Sequence, residues 1–265
     1  MTITIDTHFV FEAESATDCL LQFEAAVIPE QRLLSCHTDV TETGHFARVP
    51  AQDEIGERIW LCAEGRIEVR HRAEVEIDRQ IVNLTDLEQL ALHEMPAATV
   101  DYLFDSRYCL GDKFQSFVDD RFGETSGGAR IQTIRDWVAD NFTYAPGSSD
   151  ASTTALDSFV ERRGICRDYA HMVVTLARAS GIPARYVACY APDVTPQDFH
   201  AVAEVFLNDP TAESGGTWQL VDATDMARPD EIVKIGVGRD AADVSFLTSF
   251  GLIDLCEKNV KVERT

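Results

Sequence analysis

The spacing of apolar residues changes along this chain, and that change most limits its fold. In "RIWLCAEGRIEVRHRAEVEI" (58–77), Ile67 and Val69 alternate with Glu68 and Arg70, then Ala73, Val75 and Ile77 with Glu74 and Glu76. Ile3, Ile5, Phe9 and Phe11 repeat with the same step of two. A period of two with one apolar face describes half-buried antiparallel strands. Glu64-Gly65 stands between two such runs, so the spacing predicts a hairpin turn there. Several short strands in the first ninety or so residues predict a small β-sandwich.

After Asp86 the period changes. Segment 80–105, interrupted by Pro96, reads as a linker into a second unit, with the boundary set at 95. Phe114, Phe117, Val118 and Phe122 then recur at helical spacing, with Asp112 as the expected N-cap. Ile131, Ile134, Trp137 and Val138 form a second helical stripe, closed by Pro146-Gly147. Ala155, Leu156, Phe159 and Val160 predict a third helix with those residues inward and Gly164 as its stop. A fourth helix follows in "GICRDYAHMVVTLARASGIPARY", ended by Gly181-Ile182-Pro183. Beyond Tyr186, "ARYVACYA", "FHAVAEVFLN" and "TWQLVDAT" read as strands. Helices segregated from strands give an α+β class.

Charge narrows the partners. The chain has 265 residues, and 45 acidic against 23 basic side chains leave a formal charge of −22. Such a field repels nucleic acid and anionic membrane, so neither is expected as a partner. The N-terminus lacks the basic and apolar regions of a secretory signal, and no apolar run reaches the roughly 18 residues of a membrane span. Seven cysteines, an odd and scattered set, are expected as reduced thiols in the cytoplasm. No Cys-x-x-Cys pair or His/Cys cluster has zinc-site spacing, so no metal or other cofactor is expected.

One cysteine has a special setting. Cys166 opens the fourth helix and shares a face with Tyr169, Ala170, Val173, Val174 and Ala177. It is either a small hydrophobe or a nucleophile. Unpaired N–H groups and the positive end of the helix dipole favour a thiolate in the first turn. The same donors suit an oxyanion. Cys19, Cys36, Cys62, Cys109, Cys189 and Cys256 have no such setting and read as small hydrophobic filler. His200 begins a strand beside the loop "APDVTPQDF" and is the candidate base. Asp222 closes the next strand on its inward face, where a carboxylate would orient a histidine. Nucleophile, base and orienter in this order suit acyl transfer. His171 lies about 140° around the helix from Cys166 and is excluded as base from that face. Arg167 and Asp168 are expected to steady the first turn, and Tyr144 is expected to pack in the core, with a place lining the cleft as the alternative.

The blocks "RRGICRDYAHMVVTLARASGIPARYVACY", "DFHAVAEVFL" and "WQLVDAT" resemble those of the transglutaminase-like superfamily. "VGRDAADVSFLTSFG" is similar to a stretch of bacterial members, and the N-terminal strands look like the β domain that precedes the catalytic domain in many of them. The resemblance implies a papain-like catalytic domain over 96–265, an antiparallel β-sandwich over 1–95, and Cys166, His200 and Asp222 as a catalytic triad. It also implies a peptide or protein amide substrate and leans toward a cysteine peptidase or amidase. A transglutaminase or amide ligase is the alternative, and a non-catalytic scaffold is the alternative of another kind. Val202 stands where the family often has tryptophan, and Ala223-Thr224 where proline often follows the aspartate. No oxyanion side chain matches.

Overall fold

The computed structural model describes residues 1–210, 212 and 215–265. The first strands are β1 (Thr2–Leu21), β2 (Gln31–Val40), β3 (Phe46–Pro50) and β4 (Glu57–Ile77). β1 and β4 pair antiparallel from Thr2↔Glu76 to Leu21↔Ile59. The hairpin expected at Glu64-Gly65 does not form, because β1 is long enough to pair with both halves of β4. The register instead slips between Ala13 and Thr17, opposite Gly65 and Ala63, and Gly65 takes φ +71°. The two residues sit at a bulge, which bends the ladder without ending it.

The second unit begins with α1 (Gln115–Phe122), α2 (Gly127–Asn141), α3 (Ala155–Glu161) and α4 (Cys166–Ala179). Phe114, not Asp112, is the N-cap of α1. On the short α3 the buried stripe is narrower than expected: Ala155 is buried, Phe159 packs partly, and Leu156 and Val160 face solvent. Four strands follow: β5 (Ala184–Tyr190), β6 (His200–Asn208), β7 (Gly216–Val221) and β8 (Val233–Gly238). They form an antiparallel sheet in the order β8-β5-β6-β7. α4 packs on this sheet, with Val173, Leu176 and Ala177 against Ala203, Val205 and Leu207. The class is α+β, with antiparallel sheets.

The chain then returns to the first sheet. β9 (Leu247–Ser249) and β10 (Asp254–Arg264) both pair with β1. The antiparallel strands of the first unit bond into one six-stranded ladder that also takes in β9 and β10, which lie beyond the expected 1–95. Its apolar face meets the second sheet: Ile3, Ile5, Val75 and Val262 cluster with Tyr190, Val233 and Ile235. Tyr190 donates to the Phe23 carbonyl at 2.6 Å across that contact. The first sheet is therefore a wall against which the second sheet and its site are held.

Candidate active site

Cys166 is the first residue of α4 and is only half-buried. The chain reaches it through a two-residue parallel bridge, Thr143–Tyr144 with Arg163–Gly164. Asp168 turns back beneath this bridge. Its Oδ2 accepts from the Ile165 N–H at 2.8 Å and from Ser149 Oγ at 2.6 Å. That satisfies the residue before the helix and leaves the Cys166 and Arg167 amides as first-turn donors with no helical acceptor. Gly164 makes the turn possible, since a Cβ there would lie 2.4 Å from Asp168 Cβ.

His200 opens β6, where it is in register with Cys189 of β5. The antiparallel pairing of β6 and β7 brings Asp222, one residue past β7, to its ring: Nε2 and Asp222 Oδ2 are 3.0 Å apart. His200 is 2% exposed and Asp222 9%. Burial works against charging His200, but the hydrogen bond to Asp222, the proximity of Cys166 and the negative charges of both outweigh it and raise its pKa to about 10. With Nε2 committed to Asp222, Nδ1 is the ring nitrogen left for the thiol. Burial likewise opposes ionisation of Asp222, yet the His200 bond and charge and the donors of Thr224 hold its pKa below the usual value. Asp222 is held by Thr224 N–H and Ala227 N–H, both at 2.8 Å, and by Thr224 Oγ1. The carboxylate is thus ionised and fixed in orientation.

Cys166 and His200 line one cavity of about 620 Å³. Tyr108 and Tyr144 form part of its wall, and Phe199 and Phe246, stacked at 4.8 Å, form another part. Leu247 and Thr248 of β9 and Lys258 of β10 also reach it, so the first sheet contributes to the site. Burial first, and then the Cys166 thiolate, push the Tyr144 phenol up to about 12. A larger cavity of about 800 Å³ lies between segment 78–84 and β7. It touches Asp222 but neither Cys166 nor His200, so the smaller cavity is the candidate site.

Of the three residues singled out in the sequence, His200 and Asp222 are bonded and Cys166 faces the same cavity as His200. His171 is apart from them: its Nε2 accepts from the Ala241 N–H at 3.1 Å, and its ring lies 5.2 Å from both Tyr108 and Tyr186. Arg167 donates to the Asp150 carbonyl and lies 3.6 Å from Asp168. Of the other cysteines, Cys19, Cys109 and Cys189 are buried as expected, whereas Cys36 and Cys256 are exposed strand residues and not filler. Burial pushes the Cys109 thiol up to about 12 and Cys189 well above its ordinary value. Tyr144 lines the cavity as well as packing against Tyr169. Thr224 stands out in the sequence only as a departure from the family pattern, although Asp222-Ala223-Thr224 is a spacing at which an aspartate binds its own following turn. Phe246 and Lys258 carried no local signal, because they reach the site only through β9 and β10.

Residues 116–223 match the family model of the Transglutaminase-like superfamily, a span that holds Cys166, His200 and Asp222. An uncharacterized protein of Mycobacterium leprae is 29% identical over 113 residues, which cover 41% of this chain and 39% of that protein. One of Mycobacterium tuberculosis is 32% identical over 127 residues, 43% of this chain and 40% of its own. The chain thus spans about two fifths of the length of these curated relatives. The solved structure of a "Putative Cysteine Protease" from Cytophaga hutchinsonii superposes with a TM-score of 0.91 at 29% identity, covering 99% of this chain and 90% of that one. That coverage takes in both sheets. Residues 116–223, about two fifths of the chain, thus carry a core similar to that of the transglutaminase-like superfamily.

Proposed function

We propose that the protein is a thiol acyl-transfer enzyme of hydrolase type, with Cys166 as nucleophile, His200 as base and acid, and Asp222 as the group that orients His200. One observation carries this reading. His200 is bonded to Asp222 through Nε2 at 3.0 Å, while its other face and Cys166, at the start of α4, share one cavity. The Cys166 sulfur attacks an amide or ester carbonyl, and the C–S bond forms as the carbonyl electrons move onto oxygen. First-turn amides of α4 would stabilise that oxyanion. The imidazolium then gives its proton to the departing nitrogen or oxygen, and a thioester remains. Water, deprotonated by His200, attacks the thioester and returns the thiol. The description of the Cytophaga hutchinsonii protein as a cysteine protease supports hydrolysis over amine transfer.

Mass spectrometry of the intact protein with an activated ester tests the first half-reaction. Acylation of Cys166, followed by release of free acid even with a primary amine present, is the expected result. An amide product would make the protein a transferase, and no acylation of Cys166 would remove the reading.

The pH profile is a second test. Since His200 is held protonated to about pH 10, kcat/KM is expected to persist through neutral pH and fall near that value. The linkage has the same sign: a raised histidine pKa adds stability fully present below about 6.5 and lost as pH rises through about 10. Asp222→Asn removes the carboxylate and should move the alkaline limb down by at least one pH unit, roughly. A wild-type limb near 6.5, unmoved by Asp222→Asn, would contradict the assignment.

A further inference from the structure

The chain carries a charge of −22, yet three of the four fully charged side chains that line the site cavity are basic: Arg107, Arg167 and Lys258, against Asp198. Two of the three cations already have partners. Lys258 Nζ is 2.6 Å from Asp198, and Arg167 binds the Asp150 carbonyl close to buried Asp168. Arg107 differs. Among the described residues its guanidinium has no carboxylate partner and lies over the Tyr108 ring, 5.0 Å from the centroid. Several surface arginines are paired, Arg66 with Glu257, Arg70 with Glu68, Arg72 with Asp6 and Arg239 with Asp243, whereas Arg121 and Arg162, like Arg107, have no carboxylate partner among the described residues, but neither lines this cavity. An unpaired planar cation, braced on an aromatic face at a cleft, offers its hydrogen-bond fork to a carboxylate.

We propose that the cleft selects acyl donors that carry a carboxylate beside the scissile carbonyl, and that Arg107 recognises it. The inference rests on the acyl-transfer reading of Cys166 and His200. Tyr108 is well placed to hold the guanidinium. It is buried, it donates through its hydroxyl to the Ala151 carbonyl at 2.7 Å, and its ring stacks on His171. Arg107 therefore projects from a fixed platform, and little side-chain freedom is lost on binding.

The test uses N-acetylglutamate and N-acetylglutamine, each as its α-nitrophenyl ester. The two acyl groups have nearly the same shape and differ in charge. In each, the Cys166 sulfur bonds to the carbonyl carbon as nitrophenolate leaves with the electron pair. Water then releases the acid, and the thiol proton returns through His200. The glutamate ester is expected to be preferred in kcat/KM by about five- to tenfold. Arg107→Ala should remove that preference by lowering turnover of the glutamate ester far more than that of the glutamine ester, and Arg107→Glu should reverse it. Arg107 is exposed, so both variants should fold. Equal use of the two esters by the wild type, or an equal loss on both in Arg107→Ala, would overturn the proposal alone. Glutamine-ester turnover that survives both Cys166→Ser and His200→Ala would instead overturn the acyl-transfer reading, and this proposal with it.

Discussion

Cys166→Ser is expected to lower kcat on an ester substrate by a factor on the order of 10⁴ to 10⁶ while the fold stays intact. Serine matches cysteine in size at this half-buried position. A hydroxyl is far harder to deprotonate than a thiol, so the helix N-terminus and His200 that suit a thiolate would not make an alkoxide. Stability should change by no more than about 1 kcal/mol, because Asp222 still holds the His200 ring when the sulfur is replaced by a hydroxyl. Steady-state kinetics and thermal unfolding measured on the same preparation check both halves. A variant that keeps a tenth of the activity would show that another group is the nucleophile.

Glu204→Gln is expected to act on the fold itself. Glu204 lies in β6, 1% exposed, four residues after His200. Its Oε2 meets Arg185 Nε at 2.7 Å, and its Oε1 meets Lys234 Nζ. These links tie β6 to β5 and, through Lys234, to β8 and Glu30 of the segment between β1 and β2. Burial opposes ionisation of Glu204, but Arg185 and Lys234 outweigh it and lower its pKa to about 2. A lowered carboxylate pKa adds stability present above about pH 4.5 and lost as pH falls through about 2. Removing the charge leaves Arg185 and Lys234 buried with less compensation, at a cost of about 3–5 kcal/mol. Glu204→Met with Lys234→Met should cost less than Glu204→Gln alone, because Arg185 keeps Asp53 at 2.8 Å. Urea unfolding at pH 7 measures both. A single variant within about 1 kcal/mol of wild type would show that the cluster is not a stabilising frame.

The site was largely legible in the sequence, because local patterns place it. Cys166 follows a glycine at the start of an amphipathic helix, and His200 and Asp222 sit on consecutive strands whose antiparallel pairing brings them within 3.0 Å. The first sheet was less legible. A glycine between two alternating runs reads the same for a turn and for a bulge, and the length of β1, far away in sequence, decides between them. The return of β9 and β10 to β1 is long-range too, with Ile3 opposite Arg264. No local period announces such a pairing, so the contribution of Phe246 and Lys258 to the cavity was hidden with it. Thr224 was noticed only as a departure from the family, although it is what holds Asp222 in place.

If His200 is the base for Cys166, removing it must make the sulfur less reactive. The direct measurement is the rate of iodoacetamide alkylation at Cys166 between pH 5 and 10, read by peptide mass spectrometry in wild type and His200→Ala. Wild-type Cys166 is expected to alkylate faster than a free thiol, and His200→Ala to return toward free-thiol rates. Alkylation that follows an ordinary thiol curve in both proteins would contradict it.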